Sequence, residues 1–157
     1  MMTKRWMRAG LAAAAVLVLT SCIPLPRIGG LGGAGPTPIA DRDINMRGNC
    51  VQTEEDGFHE NAQVVVNSNT VQSLSWRIAV GKRGTCSFDY AEFRQTQRKP
   101  HIEMRARDGS SCKLLMWQEP RRVTLAHVGC ERRCTPGIYE EAWPVMFEPN
   151  TGACVRR

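Results

Sequence analysis

The chain has 157 residues and carries 21 Lys or Arg against 15 Asp or Glu, a formal net charge of +6. Three of the positive charges fall in the first 21 residues; residues 22–60 hold three Arg against six acids, and residues 61–157 hold fifteen Lys or Arg against nine acids. That balance argues against a cationic partner for residues 61–157 and for an anionic one. No G-x-S-x-G, H-E-x-x-H or P-loop pattern occurs, so the commonest hydrolytic and nucleotide chemistries have no motif here.

Lys4, Arg5 and Arg8 precede an apolar run, Ala9 to Thr20, built from Ala, Val and Leu with one Gly. A positive start followed by an apolar stretch too short to span a bilayer reads as a signal peptide over residues 1–21. Its end, Leu19-Thr20-Ser21-Cys22, resembles the lipobox of bacterial lipoproteins. The resemblance implies cleavage before Cys22, a diacylglycerol thioether on its sulfur and an acylated amine such as a palmitoyl amide. Several acyl chains, at roughly 0.8 kcal/mol per buried methylene, make such an anchor effectively permanent. In Gram-negative lipoproteins an Asp after the cysteine signals retention in the inner membrane. Ile23 stands there instead, which by the resemblance implies the periplasmic face of the outer membrane.

The stretch "PRIGGLGGAGPTPIA" (26–40) is rich in Gly and Pro, so residues 22–40 read as the acylated cysteine and a flexible tether. Residues 41–157 then form the folded domain. Residues 41–60 are acidic and polar around Cys50 and read as a loop or short strand stapled to that domain.

From residue 61 the pattern has period two. "AQVVVN" (62–67) is a first apolar run; Leu74, Trp76, Ile78 and Val80 alternate with Ser73, Ser75, Arg77 and Ala79. Cys86, Phe88 and Tyr90 share one face, Ile102, Met104 and Ala106 another, "KLLMW" (113–117) is a further run, and Val123 and Leu125 oppose Arg122 and Thr124. Short links carry turn residues: "NSN" (67–69), "GKRG" (81–84), "RQTQRKP" (94–100), "RDGSS" (107–111) and "QEPRR" (118–122). The fold class is therefore all-β, a small antiparallel meander of about six strands closing into a barrel or sandwich. The tail from Gly129 has no period and is expected to wrap an end or edge of the sheet, held by its cysteines.

Apart from Cys22, six cysteines remain: Cys50, Cys86, Cys112, Cys130, Cys134 and Cys154. An even number in an exported chain reads as a disulfide framework, each bridge contributing roughly 2–4 kcal/mol. Spacing alone leaves the pairing open. Cys130 and Cys134, with His127 upstream, lack the second close pair of a zinc site, and no metal or cofactor is expected.

His59, His101 and His127 are the candidate bases. His127 shares the parity of Val123 and Leu125 and reads as a core histidine. Ser110 and Ser111 fall in a turn, and Glu54, Glu55 and Asp56 match no calcium-loop spacing. The more informative pattern is cationic. Lys82 and Arg83, Arg98 and Lys99, Arg121 and Arg122, and Arg132 and Arg133 fall at successive tips. A meander would place 82–83 and 132–133 at one end and 98–99 and 121–122 at the other, with Arg77, Arg105 and Arg107 on the outer face between. Two such basic rims suit phosphates or carboxylates. Nucleic acid is not an expected partner, because no exposed aromatic pattern offers stacking.

In size, export and strand pattern the domain is similar to the membrane-bound inhibitors of c-type lysozyme. That resemblance implies a non-enzymatic binding protein whose target is a lysozyme-type hydrolase. The expectation from the whole chain is a lipid-anchored envelope binding module, not an enzyme, engaging an envelope protein, lipopolysaccharide or such a hydrolase. The alternatives are a structural or assembly lipoprotein that docks on an envelope component, and a small periplasmic hydrolase.

Overall fold

The computed structural model describes Ile39 and residues 41–155. The signal peptide, Cys22 and, Ile39 apart, the tether lie outside the described residues. Alternating side chains from Met46 onward produce nine strands: β1 (Met46–Thr53), β2 (Phe58–Asn67), β3 (Thr70–Val80), β4 (Gly84–Asp89), β5 (Phe93–Gln97), β6 (Ile102–Ala106), β7 (Lys113–Glu119), β8 (Arg122–Val128) and β9 (Val145–Phe147). They form two antiparallel meanders, ordered β1-β2-β3-β4 and β5-β6-β7-β8-β9. The architecture is an all-β, sandwich-like pair of sheets.

The inner faces carry the apolar parity. Trp76, Ile78 and Phe88 from the first sheet and Phe93, Met104, Leu125 and Phe147 from the second are buried in one core. Burying each such side chain contributes about 1.5–3 kcal/mol, and this is the main source of cohesion between the sheets. Trp76 and Phe88 are register partners with ring centroids 4.9 Å apart, the close cross-strand pairing that suits aromatic rings.

Three strands add to the six expected. β1 occupies the 41–60 segment read as a loop or short strand, β5 occupies the supposed link at 94–100, and β9 lies in the tail without period. Tyr90, expected on the face of Cys86 and Phe88, instead opens a 3-10 turn, Tyr90–Glu92, and is 38% exposed. The strand has ended at Asp89, so parity no longer places the next side chain.

A polar residue ties the sheets at one end. Ser68 and Asn69 both have positive φ in the two-residue turn between β2 and β3. Asn69 is 3% exposed; its Oδ1 accepts from the Ile44 amide at 2.7 Å and its Nδ2 donates to Asp43 at 2.8 Å. Gln95 of β5 donates to the Asn69 carbonyl at 2.6 Å and accepts from the Val71 amide at 3.0 Å. Every buried polar atom in this knot thus finds a partner from a different element.

The tail clasps both edges of the first sheet. At the β4 edge the Thr135 amide donates to the Thr85 carbonyl at 2.9 Å. At the β1 edge the Asn49 amide donates to the Gly152 carbonyl at 2.8 Å. Gly84 and Gly152 permit these approaches, since a Cβ on Gly84 would overlap Thr135 and one on Gly152, at φ +69°, would overlap the Arg47 carbonyl. Disulfides lock the same contacts: Cys86–Cys134 at the β4 edge and Cys50–Cys154 at the β1 edge, while Cys112–Cys130 closes the end of the β7–β8 hairpin. The three bridges are concentric in sequence. The two outer ones also pin the edge strands β1 and β4, which would otherwise offer unpaired backbone to other chains. No helix among the described residues is long and apolar enough to cross a membrane.

Candidate anion-binding surface

Each of the four cationic pairs is divided by the fold. In the β3–β4 turn, Arg83 grips Glu141 with both terminal nitrogens, one of them at 2.7 Å, while Lys82 has no side-chain partner among the described residues. In the β5–β6 link, Lys99 reaches Asp41 at 3.1 Å and Asp43 at 3.0 Å, while Arg98 has no such partner. At the β7–β8 turn Arg122 pairs with Glu119 and Arg121 stays exposed without a side-chain partner among the described residues; in the 3-10 turn Glu131–Arg133, Arg133 pairs with Glu92 and Asp108 and Arg132 stays exposed.

The engaged member carries the electrostatic signature in each exposed pair. Hydrogen bonding to Glu141 raises Arg83 above its ordinary value and lowers Glu141 below its own. Glu119 raises Arg122 in the same way, and Asp43 and then Asp41 raise Lys99, which in turn holds Asp43 below the usual carboxylate range. Arg133 is different in kind: its side chain is 14% exposed and its guanidinium lies 5.3 Å from the centroid of the Phe93 ring. It is a structural clamp between the Tyr90–Glu92 turn and the β6–β7 turn.

The first and fourth pairs come to the same edge of the first sheet, because Cys134 and Thr135 dock beside Cys86 and Thr85. The other two pairs line separate depressions. Arg121 and Arg122 share theirs with Glu119 and Glu148. Arg98 lines a depression of about 510 Å³ with Thr70, Tyr90, Arg94, Thr96 and Arg107. Of the arginines expected between the rims, Arg77 is exposed among Asn61 and Ser87, Arg105 pairs with Glu103 at 2.7 Å, and the Arg107 Nε donates to the Phe93 carbonyl at 2.8 Å.

The candidate bases have structural partners. His127 stacks on Phe88, with centroids 5.2 Å apart, and packs against Trp76 and Tyr139. Its Nε2–H donates to the Ala142 carbonyl at 2.8 Å, and burial lowers its pKa, so the ring is neutral and ties the tail to β8. His59 Nδ1 meets Thr53 Oγ1 at 2.8 Å, His101 meets Gln97, and Ser110 Oγ donates to Asp108 at 2.6 Å in its turn. Cys130 and Cys134 are halves of two different disulfides, and among the described residues no three His, Cys, Asp or Glu side chains are grouped to hold a metal ion.

Two features escaped the sequence pattern. Arg94 sits on β5, a strand hidden by its polar composition, and so its place beside Arg98 had no signal. Glu60, grouped with the acidic, polar segment 41–60, faces inward on β2 at 0% exposure and accepts a hydrogen bond from Gln52. Comparison with protein-family models, with curated proteins and with solved structures finds no match for this chain.

Proposed function

We propose that this chain is an envelope binding module, exported by its signal peptide, anchored through acylated Cys22 on the periplasmic face of the outer membrane, and engaging an anionic partner without catalysis. The observation that carries the reading is the division of the cationic pairs: Arg83, Lys99, Arg122 and Arg133 are joined to acids of the fold, and Lys82, Arg98, Arg121 and Arg132 are exposed without a protein partner among the described residues. Cations retained at tips of a rigid, bridged sandwich keep their charge available to an outside ligand, with little conformational entropy to lose on binding. Three disulfides are compatible with a location outside the cytoplasm.

The lysozyme-type target remains a subsidiary candidate with a narrower basis. Of the acidic segment at 41–60, Asp41 and Asp43 are occupied by Lys99 and Glu60 is buried, which leaves the β1–β2 tip with Glu55 and Asp56 exposed. That tip lies beside Lys82, since the Gly81 amide donates to the Gly57 carbonyl at 3.1 Å. A basic hydrolase therefore meets mixed charge there, whereas an anionic partner meets cations at the remaining tips.

The test is capture from envelope extract by the full acylated chain, with purified lysozyme and lipopolysaccharide as separate baits. The expected result is capture that weakens with salt and is lost when Lys82, Arg98, Arg121 and Arg132 are together changed to Gln. Capture indifferent to both changes refutes the anionic reading. Cys22→Ala should release the protein from the membrane fraction; unchanged fractionation and mass refute the anchor.

A further inference from the structure

The geometry points to a discrete phosphate-monoester site in the depression beside β5, with Arg94, Arg98 and Arg107 as its three cationic ligands. It rests on the reading of the domain as a module for anions and assigns that reading a ligand class and a place.

β5 is the edge strand of the second sheet, and the depression opens between it, the Tyr90–Glu92 turn and the start of β3. Among the described residues three arginines line it and no carboxylate does. Three other depressions are built differently: the one at Arg121 and Arg122 includes Glu119 and Glu148, and those at Arg47 and at Arg77 have one arginine each. Of the acids near Tyr90 and Arg107 in sequence, Glu92 and Asp108 are held by Arg133, and Asp89, which precedes Tyr90, is not part of the lining. The fold thus ties Glu92 and Asp108 to Arg133, and Glu103, which accepts from Thr96 of the lining at 3.2 Å, to Arg105, and leaves three like charges in the lining itself. Such an arrangement is unfavourable by itself and becomes favourable when an anion lies among the guanidinia.

The number of cations selects the anion. A carboxylate offers two oxygens in one plane and is satisfied by one guanidinium fork, whereas a phosphate monoester offers three terminal oxygens in different directions. Arg107 is already oriented, because its Nε is committed to the Phe93 carbonyl and its terminal nitrogens remain for a ligand. The side chains of Arg94 and Arg98 have no hydrogen bond or ion pair with other described residues. The Tyr90 ring, 38% exposed on the same wall, gives the site an apolar surface for the carbon skeleton that bears the phosphate.

The same chemistry arrives on a soluble sugar phosphate or on a lipid headgroup, and the test separates them. The full acylated chain, in a neutral detergent and a phosphate-free buffer, is titrated calorimetrically with inorganic phosphate, with glucose 6-phosphate and with short-chain phosphatidic acid. Saturable binding is expected, with Arg94→Gln and Arg98→Gln each weakening it by about tenfold or more. Arg107→Lys keeps the charge, loses the fork, and is expected to weaken binding as well. Arg47→Gln, in another depression, should leave affinity unchanged.

Binding of glucose 6-phosphate assigns a soluble source, and binding of phosphatidic acid alone assigns a lipid headgroup. Saturation by none of the three probes, or an equal loss in Arg47→Gln, overturns the site. Arg94 belongs to this depression and not to the tips, so an Arg94→Gln chain that still captures an anionic partner from extract, while the probes fail, removes this inference and leaves the binding-module reading standing.

Discussion

Replacing Cys50 and Cys154 together by Ala removes the outermost of three concentric bridges, and the loss is set mainly in the unfolded chain. The bridge spans 104 residues, which by loop-closure entropy alone corresponds to about 4.7 kcal/mol. The Cys86–Cys134 bridge short-circuits that loop, leaving roughly 56 residues in the stretches 50–86 and 134–154 and a stabilisation of about 4 kcal/mol. The innermost bridge, Cys112–Cys130, encloses 18 residues and corresponds to about 3 kcal/mol. Its sulfurs are both buried, whereas Cys154 is partly exposed, so the cavity left by Ala adds more to the inner variant and draws the two free energies together. The slope of urea unfolding separates them, because freeing the larger loop exposes more surface in the unfolded state. Urea titration of the full chain should show the outer variant with a midpoint about 2 M below that of the unsubstituted chain and with a steeper slope than the inner variant. An unchanged slope, or a larger increase for the inner variant, would refute the nested-loop reasoning.

Gly152→Ala should cost about 2–4 kcal/mol in the same titration, since the new methyl meets the Arg47 carbonyl at a left-handed φ; a cost under about 1 kcal/mol would show that the tail does not depend on that approach. Arg133→Gln should lose about 1–3 kcal/mol of stability while Arg132→Gln stays within about 0.5 kcal/mol, read by thermal unfolding, and equal effects would contradict the division of that pair. Stability should also fall as pH drops through about 6.5, because burial lowers His127 below that ordinary value and the unfolded chain then binds the extra proton. Glu131 and Glu140 oppose that shift, and the carboxylates held low by their partners, Asp43, Asp108 and Glu141, lose their contributions only at more acidic pH. His127→Phe should therefore flatten the stability profile below about pH 6.5, and an unaltered slope would assign it elsewhere.

The six strands legible in the sequence are those whose inner positions are filled by apolar side chains, as in β3, where Leu74, Trp76, Ile78 and Val80 are all buried. β1 hides because its inward positions after Met46 are Gly48, Cys50 and Gln52, while the exposed face carries Val51 at 56%. Gly48 is small because Phe147 lies over it, and Gln52 is polar because it donates to Glu60. Both choices answer to residues far away in the chain, so no local period can report them. β5 hides for a related reason: Gln95 faces the Asn69 knot and is selected for hydrogen bonds across the sheets, where an apolar residue would leave the Val71 amide unpaired.

The candidate surface was legible to the same depth and for the same reason. Adjacent cations at four tips are visible in the sequence, but which of each pair is consumed depends on where Glu92, Asp108, Glu119, Glu141, Asp41 and Asp43 are delivered by the fold. Arg133 illustrates the limit. Its neighbour has the same side chain, yet the disulfide at Cys134 holds this turn against β4 so that one guanidinium lies near Phe93 between two carboxylates and the other meets solvent. Charge density can thus be read from composition, whereas charge left over after folding is a property of the tertiary pairing. Beside β5 this remainder is Arg94, Arg98 and Arg107, and titration with phosphate decides between the proposed ligand site and a solubilising surface.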